Sequence, residues 1–311
     1  MPDQSEWTIG RLIEWTRGFF DKKGIPQPRL EAEILLAHVL GVERIALYMR
    51  YEEAVAEDER ARLRDLVQRR AAREPTKYLV GTCEFMSLAM KVTPDCLIPR
   101  PETEMLVEEV LRRTGLKRRP PGTPVAPAAE GVAAAPPLAI IDLCTGSGCV
   151  AVSLAAYLPT ARIAATDVSA AALTLARENA EAHGVADRIA FLEGDLYAPL
   201  DAADTQPADY LVANPPYVAE GEWAGLAPEI TQHEPRGALV SGPTGLEIVE
   251  RLVKGAPAYL KPGGTLLVEI GSEQGPAVAA MAAAARGLAD VQILKDYAGL
   301  DRVLAARREA R

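Results

Sequence analysis

Two hydrophobic rhythms divide this 311-residue chain. Up to about residue 74 the apolar positions recur at helical spacing. Ile9, Leu12, Ile13 and Thr16 share one face, Ile34, Leu35, His38 and Val39 another, and Leu63, Leu66 and Val67 mark a later, strongly charged stretch. The pattern predicts a helical bundle over residues 1–75. Its charged run, 57–73, reads as a solvated face carrying i,i+4 pairs rather than as a binding patch. Over residues 76–100 the character changes: Tyr78-Leu79-Val80-Gly81 and Leu88-Ala89-Met90-Lys91-Val92 flank a polar interruption, which predicts a β-hairpin linking two domains. Pro101-Glu102-Thr103-Glu104 then opens a helix with proline and carboxylates in its first turn.

From residue 138 onward, short apolar runs at 138–143, 162–166, 188–192, 210–213 and 265–270 alternate with helical stretches at 150–157, 170–182, 246–259 and 273–286. Such alternation implies an α/β domain over residues 101–311, with a doubly wound, mostly parallel sheet. Residues 291–294 and 302–306 add the last strands at an edge. Residues 115–137 are a Pro/Ala-rich stretch without periodicity, expected to be a flexible surface insertion.

Composition narrows the partners. A hydrophobic content of 49% suits one large core plus a smaller domain. A net charge of −9 with 5% aromatics argues against a long stretch of nucleic acid as the main partner. No apolar run reaches membrane-spanning length and the N-terminus lacks a basic-then-apolar leader, so no membrane partner and a cytoplasmic location are expected. Cys83, Cys96, Cys144 and Cys149, with three scattered histidines, lack the spacing of a metal site. No metal is expected, and the cysteines are read as small apolar packing residues.

The chemistry lies at two strand ends. Asn214-Pro215-Pro216-Tyr217 follows the apolar run 208–213, at the carboxyl end of a strand, where open α/β sheets bind ligands. Taken alone it is either an ordinary turn or a device for holding a planar amide or amine nitrogen. Such a nitrogen has a delocalised lone pair and is a poor nucleophile until its two hydrogens are held. The Asn214 carboxamide oxygen can accept one N–H and the Pro215 carbonyl the other. Pro215 and Pro216 restrict the backbone that carries both acceptors, and Tyr217 can cover the flat face of the target.

The second site is the loop Asp142-Leu143-Cys144-Thr145-Gly146-Ser147-Gly148, between the first sheet strand and a helix, where glycines allow a ligand to approach the backbone. Asp167 ends the next strand, suited to gripping two ribose hydroxyls. Asp195, after the third, is either a turn residue or an acceptor for an adenine amino group. Gly146, Gly148 and Ala151 also satisfy the relaxed dinucleotide fingerprint, so a nicotinamide enzyme stays in view. S-adenosylmethionine fits the ordered set better: glycine loop to the methionine portion, Asp167 to the ribose, Asp195 to the adenine, and Asn214 beside the methyl group.

With these elements in place the chain resembles the PrmC/HemK family, glutamine N5-methyltransferases of peptide chain release factors. The match also includes Arg73-Glu74-Pro75, Cys83-Glu84-Phe85, Leu97-Ile98-Pro99-Arg100-Pro101-Glu102-Thr103-Glu104, His233-Glu234-Pro235, Glu269-Ile270-Gly271, Asp296 and Asp301-Arg302-Val303. The resemblance implies a class I methyltransferase sheet of seven strands with an edge antiparallel strand. It implies S-adenosylmethionine held by Cys144, Thr145, Gly146, Ser147, Gly148, Asp167, Leu196 and Asn214, to which the reading of the residues themselves adds Asp142 and Asp195. It further implies the glutamine of a release factor's Gly-Gly-Gln loop held by Asn214, Pro215, Pro216 and Tyr217, and recognition of the factor by the helical domain; the loop is then expected to thread between that corner and the segment 100–103, with Arg100 and Thr103 on the other side. Asn214 and Pro215 would be the catalytic residues. Cys144 stands where the family often has glycine and Leu196 where some members have an aromatic. A glutamine methyltransferase of a large-subunit ribosomal protein, and an adenine-N6 nucleic-acid methyltransferase, are the rival readings.

Overall fold

The computed structural model describes residues 7–115 and 137–310. The expected 115–137 insertion, apart from its two end residues, lies outside them. The chain folds as two compact units.

The first unit runs to Thr82 and regains Ala227–His233. It contains helices Ile9–Lys22, Pro28–Leu40, Arg44–Met49, Glu57–Ala71 and Thr76–Val80, and the short helix Pro228–His233. Thr8 caps the first by accepting the Arg11 N–H, and Gly41, at φ 64°, ends the second in the left-handed region. Phe20, Leu35, Leu36 and Leu47 form its buried centre. Arg70, almost fully buried, donates to Glu31 at 2.8 Å and Glu229 at 3.1 Å, fastening segment 227–233 to the bundle. Losing one partner of so buried a cluster is costly because the others stay desolvated.

The expected first hairpin strand at 78–81 is displaced. Pro75 leads into the helix Thr76–Val80, Leu79 joins the helical core, and Gly81 at φ 75° stops that helix. The hairpin forms instead from β1 (Thr82–Phe85) and β2 (Leu88–Lys91), joined by Met86 and Ser87, both at positive φ as a tight primed turn requires.

The second unit carries β3 (Ala139–Leu143), β4 (Arg162–Asp167), β5 (Ile189–Glu193), β6 (Ala208–Ala213), β7 (Val218–Ala219), β8 (Val240–Gly242), β9 (Leu260–Glu269), β10 (Leu288–Lys295) and β11 (Asp301–Arg308). Among the described residues, seven strands form the main sheet, in the order β10-β11-β9-β6-β3-β4-β5. The pairs from β9 through β5 are parallel. Alternate residues feed two layers: Ile140, Val212 and Leu267 enter one core, Ile141, Leu211 and Leu266 the other. Helices Cys149–Tyr157 and Glu247–Tyr259 contribute to opposite layers. The antiparallel strand is not at the edge, as expected, but one position in. β11 pairs antiparallel with both β9 and β10, because the short link after β10 permits only a hairpin return, into the space beside β9. No helix among the described residues is long and apolar enough to cross a membrane.

Candidate active site

Register brings the expected residues to one end of the sheet. Leu143 lies opposite Thr166 on β4 and Ala213 on β6, and Ala213 lies opposite Val268 on β9. The next residues therefore stand at one level: Asp167 and Glu269 end β4 and β9, and Cys144 and Asn214 follow β3 and β6. A cavity of about 320 Å³ opens there, within the range of small-molecule sites. Its walls include Asp142, Cys144, Thr145, Gly146, Ser147, Asp167, Asp195, Leu196, Asn214, Pro216 and Thr103.

The glycine loop is held from several sides. Asp167 Oδ2 accepts the Gly146 N–H at 2.8 Å and Oδ1 the Ser169 N–H at 2.9 Å. Burial pushes its carboxyl pKa up against these bonds. A carboxylate has about four lone-pair directions, and these bonds do not use them all, which leaves acceptor capacity for a ligand hydroxyl. Asp142 is buried beneath the loop and accepts from Thr145 Oγ1 at 2.6 Å; burial raises its pKa to about 7. Asn179 donates to the carbonyls of Ser147 at 2.9 Å and Lys91 at 3.1 Å, tying the loop to the β1–β2 hairpin.

The glycines do more than admit a ligand. Gly148 stands at φ 77°, and a Cβ there would lie 2.9 Å from Ala176 Cβ, so it serves the packing of helix Ala170–Ala182. Cys144, at φ 58°, occupies the left-handed region, where its side chain brings strain that a glycine would not meet. Burial raises the pKa of its thiol, and that of Cys149, far from thiolate chemistry. Asp195 pairs with Arg251 at 2.5 Å, and Leu196, at φ 48°, is buried and accepts from Thr166 Oγ1 through its carbonyl.

The 214–217 corner sits on a buried polar chain. Asn214 Nδ2 donates to Thr103 Oγ1 at 3.0 Å, Thr103 Oγ1 donates to Glu269 Oε2 at 2.6 Å, and the Tyr217 hydroxyl donates to Glu269 Oε1 at 3.2 Å. Thr103 and Glu269 are each 1% exposed. Gln274 holds the corner's far end, donating to the Tyr217 carbonyl at 2.9 Å and accepting the Gly271 N–H. Pro215 is buried. Arg100 is turned to Glu234, 2.6 Å away, while Glu234 also accepts the Ile98 N–H. Neither Glu269 nor Glu234 carries a role in the sequence reading. A lone carboxylate inside the apolar run Leu266-Leu267-Val268-Glu269-Ile270 was the available signal.

Comparison with known proteins agrees with both units. The family description "PrmC N-terminal domain" matches residues 11–81, and "Methyltransferase small domain" matches residues 132–237. Of solved structures, the chain is similar to a methyltransferase from Pyrococcus furiosus, at TM-score 0.50 and 15% identity over 78% of this chain and 99% of that one. It is also similar to the catalytic domain of hMettl16 in complex with the MAT2A 3'UTR hairpin 6, at TM-score 0.53 and 18% identity over 79% and 82%. At such identities the likeness concerns the fold, which is that of the class I methyltransferases. Curated relatives come much nearer. The chain is 41% identical to the release factor glutamine methyltransferase of Geobacter sulfurreducens, over 97% of each chain. It is 46% identical to that of Moorella thermoacetica, over 92% of this chain and 94% of that one. The chain belongs to the release factor glutamine methyltransferase family.

Proposed function

We propose that this chain transfers the methyl group of S-adenosyl-L-methionine to the side-chain amide nitrogen, N5, of the glutamine in the Gly-Gly-Gln motif of a peptide chain release factor. The observation that carries the reading is the meeting of Asn214 with Asp167 and the glycine loop on one cavity. The donor set fits S-adenosylmethionine: a partly satisfied carboxylate at Asp167 for the ribose, backbone at Cys144 to Ser147 for the methionine portion, and Asp195 and Leu196 toward the adenine. The sulfonium supplies a methyl carbon that is already electrophilic, so the protein's work is positioning.

In this reading Asn214 Oδ1 and the Pro215 carbonyl accept the two glutamine N–H groups, and Pro216 and Tyr217 keep that corner rigid. The amide lone pair is thereby aimed at the methyl carbon. The N–C bond would form as the C–S bond breaks, with the bonding pair kept on sulfur to give S-adenosylhomocysteine and the proton lost from nitrogen passing to water, directly or by way of Asn214 or the Pro215 carbonyl. The helical unit contributes recognition of the folded factor, and Arg100 with Thr103 flanks the acceptor loop through the partners described above. The reaction is placed in the cytoplasm, where translation terminates. The test is methyl incorporation from labelled donor into the intact factor, its Gln→Ala variant and a matching short peptide. Labelling of the intact factor, little of the peptide and none of the variant is expected; equal labelling of the Gln→Ala factor would overturn the assignment.

A further inference from the structure

An amide side chain is nearly symmetric in shape but opposite in chemistry at its two ends, so a site using Asn214 as an acceptor needs something to stop it turning over. The buried chain behind it supplies the stop. An ionised carboxylate only accepts hydrogen bonds. Thr103 Oγ1, 2.6 Å from Glu269 Oε2, must therefore spend its one proton on Glu269. Its oxygen is left as an acceptor toward Asn214, 3.0 Å away, and Asn214 must answer with its NH2. The Asn214 oxygen is then committed to the cavity side.

We propose that Glu269, acting through Thr103, is a positioning residue that fixes the polarity of Asn214, and that this polarity makes the site select a side-chain amide over a carboxylate. The inference rests on the reading of Asn214 as the acceptor for the target amide and deepens it. A glutamine presents two N–H donors to the Asn214 and Pro215 oxygens. A glutamate in the same place presents only acceptors to acceptors, and a flipped Asn214 would reverse the preference. The rest of the local chemistry agrees. Tyr217 donates to the other oxygen of Glu269; burial raises the pKa of this carboxyl to about 6, against the Thr103 hydroxyl, Arg302 and Tyr217, which leaves it mostly ionised at neutral pH. Glu269 is buried and does not line the cavity, so its effect passes through Thr103 to Asn214.

The test compares wild type, Thr103→Val, Thr103→Ser and Asn214→Ala in three measurements. These are kcat on the intact release factor, the Kd for S-adenosylhomocysteine, and the ratio of Kd values for the Gln→Glu factor and the unmodified factor with S-adenosylhomocysteine present. Thr103→Val keeps the shape and removes the hydroxyl. It should lower kcat by ~10²-fold and leave cofactor affinity within about twofold, since Thr103 is not a ribose or adenine partner. It should also shrink a wild-type Gln-over-Glu preference of roughly tenfold or more to near unity. Thr103→Ser, which restores the hydroxyl, should recover both kcat and preference. If Asn214→Ala is inactive while Thr103→Val keeps wild-type kcat and preference, the polarity relay is wrong and the reading of Asn214 stands. If Asn214→Ala turns over normally, that reading falls first. Should Thr103→Val not fold, Glu269→Leu decides. Without an acceptor behind it the Thr103 hydroxyl is free to donate to Asn214, so the Gln-over-Glu preference should shrink; an unchanged preference overturns the proposal.

Discussion

Asn214 Nδ2 lies 3.0 Å from Thr103 Oγ1, across 111 residues of chain. The bond joins the corner after β6 to the turn ahead of helix Glu104–Arg113, and it uses the end of the carboxamide that the proposed reaction does not need. Asn214→Ala should therefore abolish most methyl transfer, by ~10²- to 10³-fold in kcat, while S-adenosylhomocysteine affinity changes much less. Paired kinetics and calorimetry check it, and near-normal turnover would refute the positioning role.

Asp167→Ala should weaken S-adenosylhomocysteine binding by about 1.5–3 kcal/mol through loss of charge-assisted bonds. The structure adds a second consequence. The Gly146 and Ser169 amides lose their acceptor, so the glycine loop should loosen, visible as faster amide hydrogen exchange at Gly146. An unchanged dissociation constant would reduce Asp167 to a turn residue.

Glu269 couples activity and stability to pH in opposite directions. Burial lifts its pKa from the ordinary 4.5 to about 6, against the Thr103 hydroxyl, Arg302 and Tyr217, with Glu102 adding to the rise. The relay needs the carboxylate, so kcat should fall as pH drops through about 6. Stability runs the other way. The folded state binds the proton more tightly than the unfolded state, so this group's contribution is fully present below about 4.5 and is lost as pH rises through about 6. Glu269→Gln should then be more stable than wild type at pH 7, by about 1–2 kcal/mol, and less active. Urea unfolding at pH 5 and pH 7.5 beside a kcat–pH profile reads both; a variant less stable than wild type at the higher pH would contradict the sign.

In the glycine loop, neighbouring residues should respond differently. Gly148→Ala meets Ala176 and a left-handed backbone together, and should cost about 2–4 kcal/mol of stability. Cys144→Gly removes strain at φ 58° but gives the unfolded chain more freedom, so its net change should stay within about 1 kcal/mol with cofactor affinity retained. Thermal unfolding of both variants separates them, and a tolerated Gly148→Ala would show that the loop can shift away from its helix.

Much of the molecule is set by local chemistry. Helical spacing in the first 74 residues, apolar runs of strand length beyond 138, and the prolines and glycines that punctuate them all act within a few residues. The order of elements, the class of sheet, the glycine loop after β3 and the 214–217 corner after β6 are accordingly legible along the chain. What depended on distant partners was not. Gly81 ended a helix that the pattern at 78–81 presented as a strand, because Leu79 found its core in the helical bundle. β11 took the place beside β9 and left β10 at the edge, a choice made by strand pairing rather than by either strand's composition. Arg100 turned to Glu234. A carboxylate in the apolar run ending at Glu269 announces that it must have partners. Only the register of β6 against β9 and the return of residue 103 decide that those partners are Thr103 and Tyr217, with Asn214 one bond further on. Propensity and periodicity are short-ranged and are written into neighbouring residues; the direction of a buried hydrogen-bond chain is settled by groups that meet only when the sheet closes over them.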